Sequence, residues 1–372
     1  MTLFDGACVP GDARLDRVLP GVLNSVGMGD DARSRELLGF PQVPRACVVM
    51  VDGLGFHNLA QRRGHAPNMR KMGIEQSIST VVPSTTAAGI TAFGTGARPG
   101  ATSMTGYSLR IPGTSRTFSL IKWPDPAVNV CEWQTYPTLF EGLAEPERAV
   151  VIQPQKFAQS GLSVAALRGA RGLYGESLDD RVELAARALK RDATVAYLYW
   201  GDLDAAGHKS GWCSDSWIGE LEKLDAGIGL LRRSLPKGTL LIITADHGMI
   251  DVTNRIDIAD IPALREGIDV VAGEPRAVHL YTTKPDAVAK RWQDAVGDLA
   301  WIGTRDSVIA AGVLGPVSDF TRQTMGDVMV FARDAHVFVD SRVQSSTAIG
   351  LIGVHGSLTR TEMDIPLITE VI

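Results

Sequence analysis

Several things are missing from this sequence, and each absence narrows the field. No window approaches the roughly 18 consecutive apolar residues of a membrane-spanning helix. Met1 to Val26 is interrupted throughout by Asp, Arg, Pro and Gly, so it reads as lacking a secretory signal. The four cysteines, Cys8, Cys47, Cys131 and Cys213, stand far apart with no CxxC pair, which points to free thiols in a reducing compartment. Charge of one sign is lacking as well: 37 basic residues against 42 acidic ones leave a net charge of -5, which gives no support for a nucleic-acid or anionic-membrane surface. Neither an internal repeat nor a low-complexity tract is found. The expectation is a cytoplasmic protein whose partner is a small molecule; oligomeric state is not readable from the sequence.

What is present suffices for a large core. The chain has 372 residues, 45% of them hydrophobic, consistent with one domain over residues 1–372. Short apolar runs at Ala46 to Val51, Ala149 to Ile152, Val195 to Trp200 and Leu240 to Thr244 read as buried strands. Helices are predicted over Leu178 to Lys190 and over Ser216 to Arg233, where Ile218, Leu221, Leu224, Ile228 and Leu231 recur at three- and four-residue intervals. This alternation predicts an α/β fold, a doubly wound and mostly parallel sheet. Pro262, Gly267, Gly273, Pro275, Pro285, Gly303, Gly312 and Pro316 break the pattern, and residues 258–324 are read as a small inserted cap subdomain. From Asp327 onward the chain is expected to return to the sheet.

Carboxylates and histidines gather where the predicted strands end, the edge at which open α/β sheets bind ligands. Asp52 closes CVVMVDGLG, although Asp-Gly is also a common turn pair. Asp204 and His208 in GDLDAAGHKSG stand four apart, on one face of a helical turn; taken alone, such a pair is more often an N-cap and a surface histidine. Asp246 and His247 in LIITADHGM can reach one ion if the backbone turns after the strand, and His355 lies between two glycines in GVHGS. Three carboxylates and three imidazoles suit two divalent cations of the zinc type better than magnesium or calcium, which prefer all-oxygen shells. Two cations about 4 Å apart can hold the attacking and leaving oxygens of an in-line displacement, and phosphoryl transfer gains most from that. For a nucleophile, VVPSTTAAGITAFGTG offers Ser84, Thr85 and Thr86 at a predicted helix start, where free N–H groups favour an anion. A plain Ser/Thr cap is the ordinary reading of such a stretch, and chemistry alone does not choose among the three.

In their order along the chain these residues resemble the nucleotide pyrophosphatase/phosphodiesterase branch of the alkaline phosphatase superfamily. The resemblance runs from Asp52 to His355. The spacing of Pro83, Thr86, Thr95, Gly96 and Pro99 matches the family's nucleophile motif and so selects Thr86 over Thr85. The resemblance implies an alkaline phosphatase-like fold and a phosphodiester or phosphoanhydride cleaved through a phospho-threonyl intermediate. It assigns one metal to Asp52, Asp246, His247 and the Thr86 oxygen, the other to Asp204, His208 and His355. The chain also departs from the family: the Asn expected about twenty residues after the nucleophile is replaced by Gly106, Tyr107 and Ser108. Tyr107, Ser108 and the Thr86 backbone N–H are therefore the candidate donors to the phosphoryl oxygen. A phosphomonoesterase or phosphonate hydrolase with the same metals is the runner-up reading. A phosphoryl-transferring mutase and a silent binding protein of the same fold are weaker ones. A nucleotide substrate is an expectation from the family only; Trp123, Trp133 and Trp212 are candidates to stack a base, but such residues are usually packing residues.

Overall fold

The computed structural model describes residues 3–123, 125–126 and 128–372. The strands that frame the site are β1 (Arg45–Val51), β2 (Ala149–Gln153), β3 (Arg171–Tyr174), β4 (Val195–Trp200), β5 (Thr239–Thr244), β6 (Val270–Glu274), β7 (Ala277–Tyr281), β8 (Ala300–Thr304), β9 (Val328–Ala332) and β10 (Ile368–Val371). Their helices are α1 (Thr86–Thr95), α2 (Leu178–Arg191), α3 (Asp202–Ser210), α4 (Asp215–Ser234) and α5 (Pro285–Val296).

The main sheet has the order β10-β5-β1-β4-β2-β3, parallel except where β10 pairs antiparallel with β5. Ala46 to Val51 in β1 are all fully buried, which explains the unbroken apolar run: a central parallel strand is covered on both faces. Strong end signals delimit the helices. Ser177 and Asp180 form a capping box on α2, with Lys190 and Arg191 in its last turn, and the Ser214 side chain accepts from Trp217 N–H at the start of α4. The chain leaves β1, builds β2 and β3 outward, then returns to place β4 and β5 on either side of β1. That reversal puts the carboxyl ends of β5, β1 and β4 side by side, with Met50 opposite Thr244 and Val51 opposite Trp200.

A second, antiparallel sheet has the order β6-β7-β9-β8 and its own core, in which Trp292 of α5 packs with Leu264, Val278, Val330 and Phe338. The expected return to the main sheet after Asp327 is corrected here. Val328–Ala332, fully buried between β7 and β8, completes the second sheet, and the chain rejoins the first only at β10. All four cysteines are free thiols. Among the described residues no helix is long and apolar enough to cross a membrane.

Candidate active site

The three adjacent strands deliver the three carboxylates. Asp52 directly follows β1, Asp246 lies just beyond β5, and Asp204 sits in the first turn of α3, which starts almost at once after β4. Asp204 is not an N-cap, because Gly201 occupies that position; Asp202, at the start of the same helix, is exposed. Gly53 makes the approach of Asp52 to Asp204 possible: its φ is +74°, and a Cβ there would stand 3.0 Å from Asp204 Oδ1.

Each carboxylate engages one oxygen with the protein and leaves the other free. Asp246 Oδ1 accepts N–H bonds from Gly53 (3.2 Å) and His247 (3.0 Å). Asp52 Oδ2 accepts from the Tyr199 hydroxyl, and Asp204 Oδ2 lies 3.1 Å from His208 Nε2. Asp52 Oδ1, Asp204 Oδ1 and Asp246 Oδ2 are buried without a hydrogen-bond partner. Such atoms are costly unless something positive meets them.

The imidazoles face this cluster in one consistent way. In each of the three, Nδ1 is held by a backbone carbonyl: Gly353 for His208 (2.7 Å), Gly248 for His247 (3.0 Å) and Ser84 for His355 (3.0 Å). Those partners engage Nδ1 and turn Nε2 inward, the arrangement that fixes metal-ligating histidines elsewhere, where a bound ion takes the place of the Nε2 proton. His247 Nε2 lies 3.3 Å from Asp52 Oδ1 and 3.6 Å from Asp246 Oδ2, and His355 Nε2 lies 3.9 Å from Asp204 Oδ1. The His247 and His355 rings stack with centroids 3.5 Å apart. Donor atoms of Asp52, Asp246 and His247, and those of Asp204, His247 and His355, fall within 4.8 Å of one another, so each set could hold an ion. His247 belongs to both compact groups, while His208 joins through Asp204.

Electrostatics points the same way. Burial, followed by the neighbouring Asp52, pushes the Asp246 carboxyl well above the usual carboxylate range. His247 is pushed up to about 10: burial opposes its cation, but the carboxylates of Asp246, Asp52 and Asp204 outweigh it. His355, desolvated and beside His247, is depressed well below the ordinary value. Proteins hold such a concentration of buried acid with a cation.

The three candidate hydroxyls are no longer equivalent. Ser84 donates to the Ser357 carbonyl (2.7 Å) and accepts from Gly356 N–H (3.2 Å), so it is a structural bridge. Thr85 occupies the cap position of α1, and its hydroxyl is buried and unpartnered. Thr86 is the first residue of α1, with its Oγ1 3.1 Å from His247 Nε2. That helix is buried from end to end and built of small residues: a Cβ on Gly89 would meet the Asp246 Cβ at 2.9 Å, and one on Gly94 would meet the Ala166 carbonyl oxygen at 1.8 Å.

Thr86, Asp52, Asp204, His208 and His355 line a cavity of about 580 Å³, which Tyr107 and Ser108 also line. The Ser108 hydroxyl donates to the Gly273 carbonyl (2.9 Å) and accepts from Gly273 N–H (3.1 Å), while Tyr107 N–H donates to Glu274 Oε2 (3.0 Å). Trp123, Trp133 and Trp212 are not among the lining residues; Trp133 packs against Phe118 and Phe320, and Trp212 against Trp217. Sequence reasoning missed Tyr199, which orients Asp52, and Glu274, which closes β6 at the cavity wall. A strand-end acid in VVAGEP was the available signal for Glu274, of the same kind that marked Asp52.

The sequence profile of the family described as type I phosphodiesterase / nucleotide pyrophosphatase matches residues 46–358. Ectonucleotide pyrophosphatase/phosphodiesterase family member 7 of Mus musculus is 36% identical over 72 residues, which is 18% of this chain and only 16% of that protein. Among solved structures, murine ectonucleotide pyrophosphatase/phosphodiesterase 5 superposes with a TM-score of 0.66 at 16% identity over 87% of both chains. Phosphonoacetate hydrolase from Sinorhizobium meliloti 1021, in complex with phosphonoformate, gives 0.65 at 17% identity over 87% of this chain and 89% of that one. At these identities the structural likeness is one of fold.

Proposed function

The chain belongs to the type I phosphodiesterase / nucleotide pyrophosphatase family, and from that premise we propose that it is a two-metal hydrolase of phosphate esters, a phosphodiesterase with Thr86 as nucleophile. One observation carries the reading: three imidazoles held at Nδ1 turn Nε2 toward three clustered carboxylates, each of which keeps one buried oxygen without a hydrogen-bond partner. Asp52, Asp246, His247 and the Thr86 oxygen would hold one ion; Asp204, His208 and His355 would hold the other. The mixed nitrogen and oxygen donors suit zinc. When bound, such a pair supplies charge stabilisation to the attacking and leaving oxygens and lowers the pKa of a hydroxyl.

The protein's own part is positioning. Thr86 stands at the start of α1, where free N–H groups favour the phosphoryl anion, with its Oγ1 turned to the metal cluster. Thr86 Oγ1 bonds to phosphorus as the bond to the leaving alcohol breaks and the alcohol departs with the proton. Water then cleaves the phospho-threonyl ester, restoring the hydroxyl and releasing the phosphomonoester. Because the Ser108 hydroxyl is committed to Gly273, the Tyr107 side chain and the Thr86 N–H are the better candidates to support the phosphoryl oxygen. We read the second sheet as the cap, since Val271 to Pro275 form part of the cavity wall. A phosphonate hydrolase or phosphomonoesterase at the same site is the second reading, favoured by the fold shared with phosphonoacetate hydrolase.

The test is Thr86→Ala with metal content measured alongside turnover of bis-p-nitrophenyl phosphate and p-nitrophenyl phosphate. The expected result is a loss of at least about 10³-fold in kcat with metal still bound. Wild-type protein that holds two metals and cleaves neither ester would refute the proposal, and higher turnover of the monoester would favour the second reading.

A further inference from the structure

The cavity beside Thr86 carries information about the rest of the substrate. Among the described residues that line it there is no lysine or arginine. Away from the metal cluster its walls are formed largely by apolar side chains, including Ile121, Leu162, Leu167, Val271 and Leu351, and the exposed Val343 at 66% relative exposure extends that apolar surface. The acid on this wall, Glu274, is buried, keeps Oε1 without a partner, and has its side chain packed across Gly356, where an added Cβ would stand 2.8 Å from Glu274 Cγ.

Oε2 of Glu274 accepts from Tyr107 N–H (3.0 Å), and among the described residues that line the cavity there is no lysine or arginine to pair with it. Pyrophosphate chains and carboxylate-bearing leaving groups need cationic partners once desolvated, and the wall provides none. The candidate tryptophans pack elsewhere, and the aromatic side chains on the wall are Phe157, Tyr107, Tyr197 and Tyr199, the last of which is bonded to Asp52.

Resting on the phosphodiesterase reading above, we infer that this cavity selects phosphodiesters whose ester substituent is uncharged and apolar, an alkyl or aryl group, over nucleoside polyphosphates and over dianionic monoesters. The phosphoryl group itself carries the single negative charge that the metal cluster and the α1 N-terminus accept, and the hydrocarbon lies along the apolar walls. Burial of apolar surface supplies the affinity that nucleotide sites take from basic side chains.

The experiment uses the metal-loaded full chain and compares methyl, hexyl and phenyl p-nitrophenyl phosphate with p-nitrophenyl phosphate, thymidine 5′-(p-nitrophenyl phosphate) and ATP. The expected kcat/KM rises about 10²-fold from the methyl to the hexyl ester, as partial burial of the added methylenes requires, and the hexyl and phenyl esters exceed the thymidine ester and ATP. A second measurement uses Val343→Arg, at an exposed position that tolerates the longer side chain. A cation placed there should shift the ATP-to-hexyl-ester ratio of kcat/KM toward ATP by about tenfold. A flat response to chain length, a preference for ATP or the thymidine ester, or an unchanged ratio in Val343→Arg would overturn the inference and leave phosphodiester hydrolysis standing. No turnover of any ester would overturn both.

Discussion

Replacing Gly89 with alanine adds one methyl group to the helix that begins at Thr86, and the structure says where that methyl goes. It would stand 2.9 Å from the Asp246 Cβ and 2.9 Å from the Asp246 carbonyl oxygen. Ordinary carbon contacts begin near 3.5 Å, so the overlap is roughly 0.6 Å. Asp246 is poorly placed to yield: Thr80 Oγ1 donates to its carbonyl, and the N–H groups of Gly53 and His247 hold its Oδ1. Overpacking costs about 1–3 kcal/mol, while alanine gains about 1 kcal/mol over glycine in a helix, so the net loss of stability is about 0–2 kcal/mol. Catalysis is more sensitive than folding, because a displacement of a few tenths of an ångström between Thr86 and Asp246 is expected to lower kcat/KM by about 10- to 100-fold. Gly219 is the control: it lies in α4 with nothing within 4 Å of an added Cβ. Gly219→Ala should raise stability by up to about 1 kcal/mol and leave the rate unchanged. Turnover of bis-p-nitrophenyl phosphate, thermal melting and metal titration of both variants give the answer. Gly89→Ala with wild-type activity would refute the claim that this helix sets the position of Asp246.

Two further outcomes follow from the buried charges. Arg276 and Glu362 are fully buried and paired at 2.6 Å and 3.0 Å, with Glu362 also accepting from Ser357 N–H beside His355; Glu362→Ala should cost about 3–5 kcal/mol in urea denaturation, and a loss below about 1 kcal/mol would contradict the pairing argument. In metal-free protein, Asp204 and the Gly353 carbonyl overcome burial and raise His208 from 6.5 to about 9. A raised histidine stabilises the fold fully below its unfolded value and loses that contribution as pH climbs through the folded value. His247, pushed up to about 10, and Glu274, pushed up to about 8, act in the same direction. The urea midpoint in chelator should therefore fall from about pH 6.5 to about pH 9; a rising midpoint would show that these imidazoles are not protonated in the empty site.

The framework of the fold was legible because burial on both faces leaves a simple trace. The runs that became β1, β2, β4 and β5 are continuous and apolar, and α2 and α4 show helical spacing bounded by caps and terminal charge. Asp52 and Asp246 stood out because each ends such a run. The second sheet was harder to read: glycine and proline interrupt the pattern, and two of its three pairings join strands distant in sequence, as Ala277–Leu280 and Ala300–Thr304 do with Val328–Ala332. Glu274 was lost with it. Chemistry alone did not choose among Ser84, Thr85 and Thr86; the motif spacing shared with a family pointed to Thr86, whereas the bond that sets Ser84 apart runs to Ser357 far along the chain. No local pattern records such a partner.

The bond from His355 Nδ1 to the Ser84 carbonyl joins residues 271 positions apart. During synthesis at about 5–20 residues per second, roughly 15–50 s separate the appearance of these two residues. For that interval a growing chain carries Asp52 and Thr86 but cannot close the pocket around them. A site that needs His355 therefore assembles only after the later residues have been made, and not around the strand ends as they first emerge.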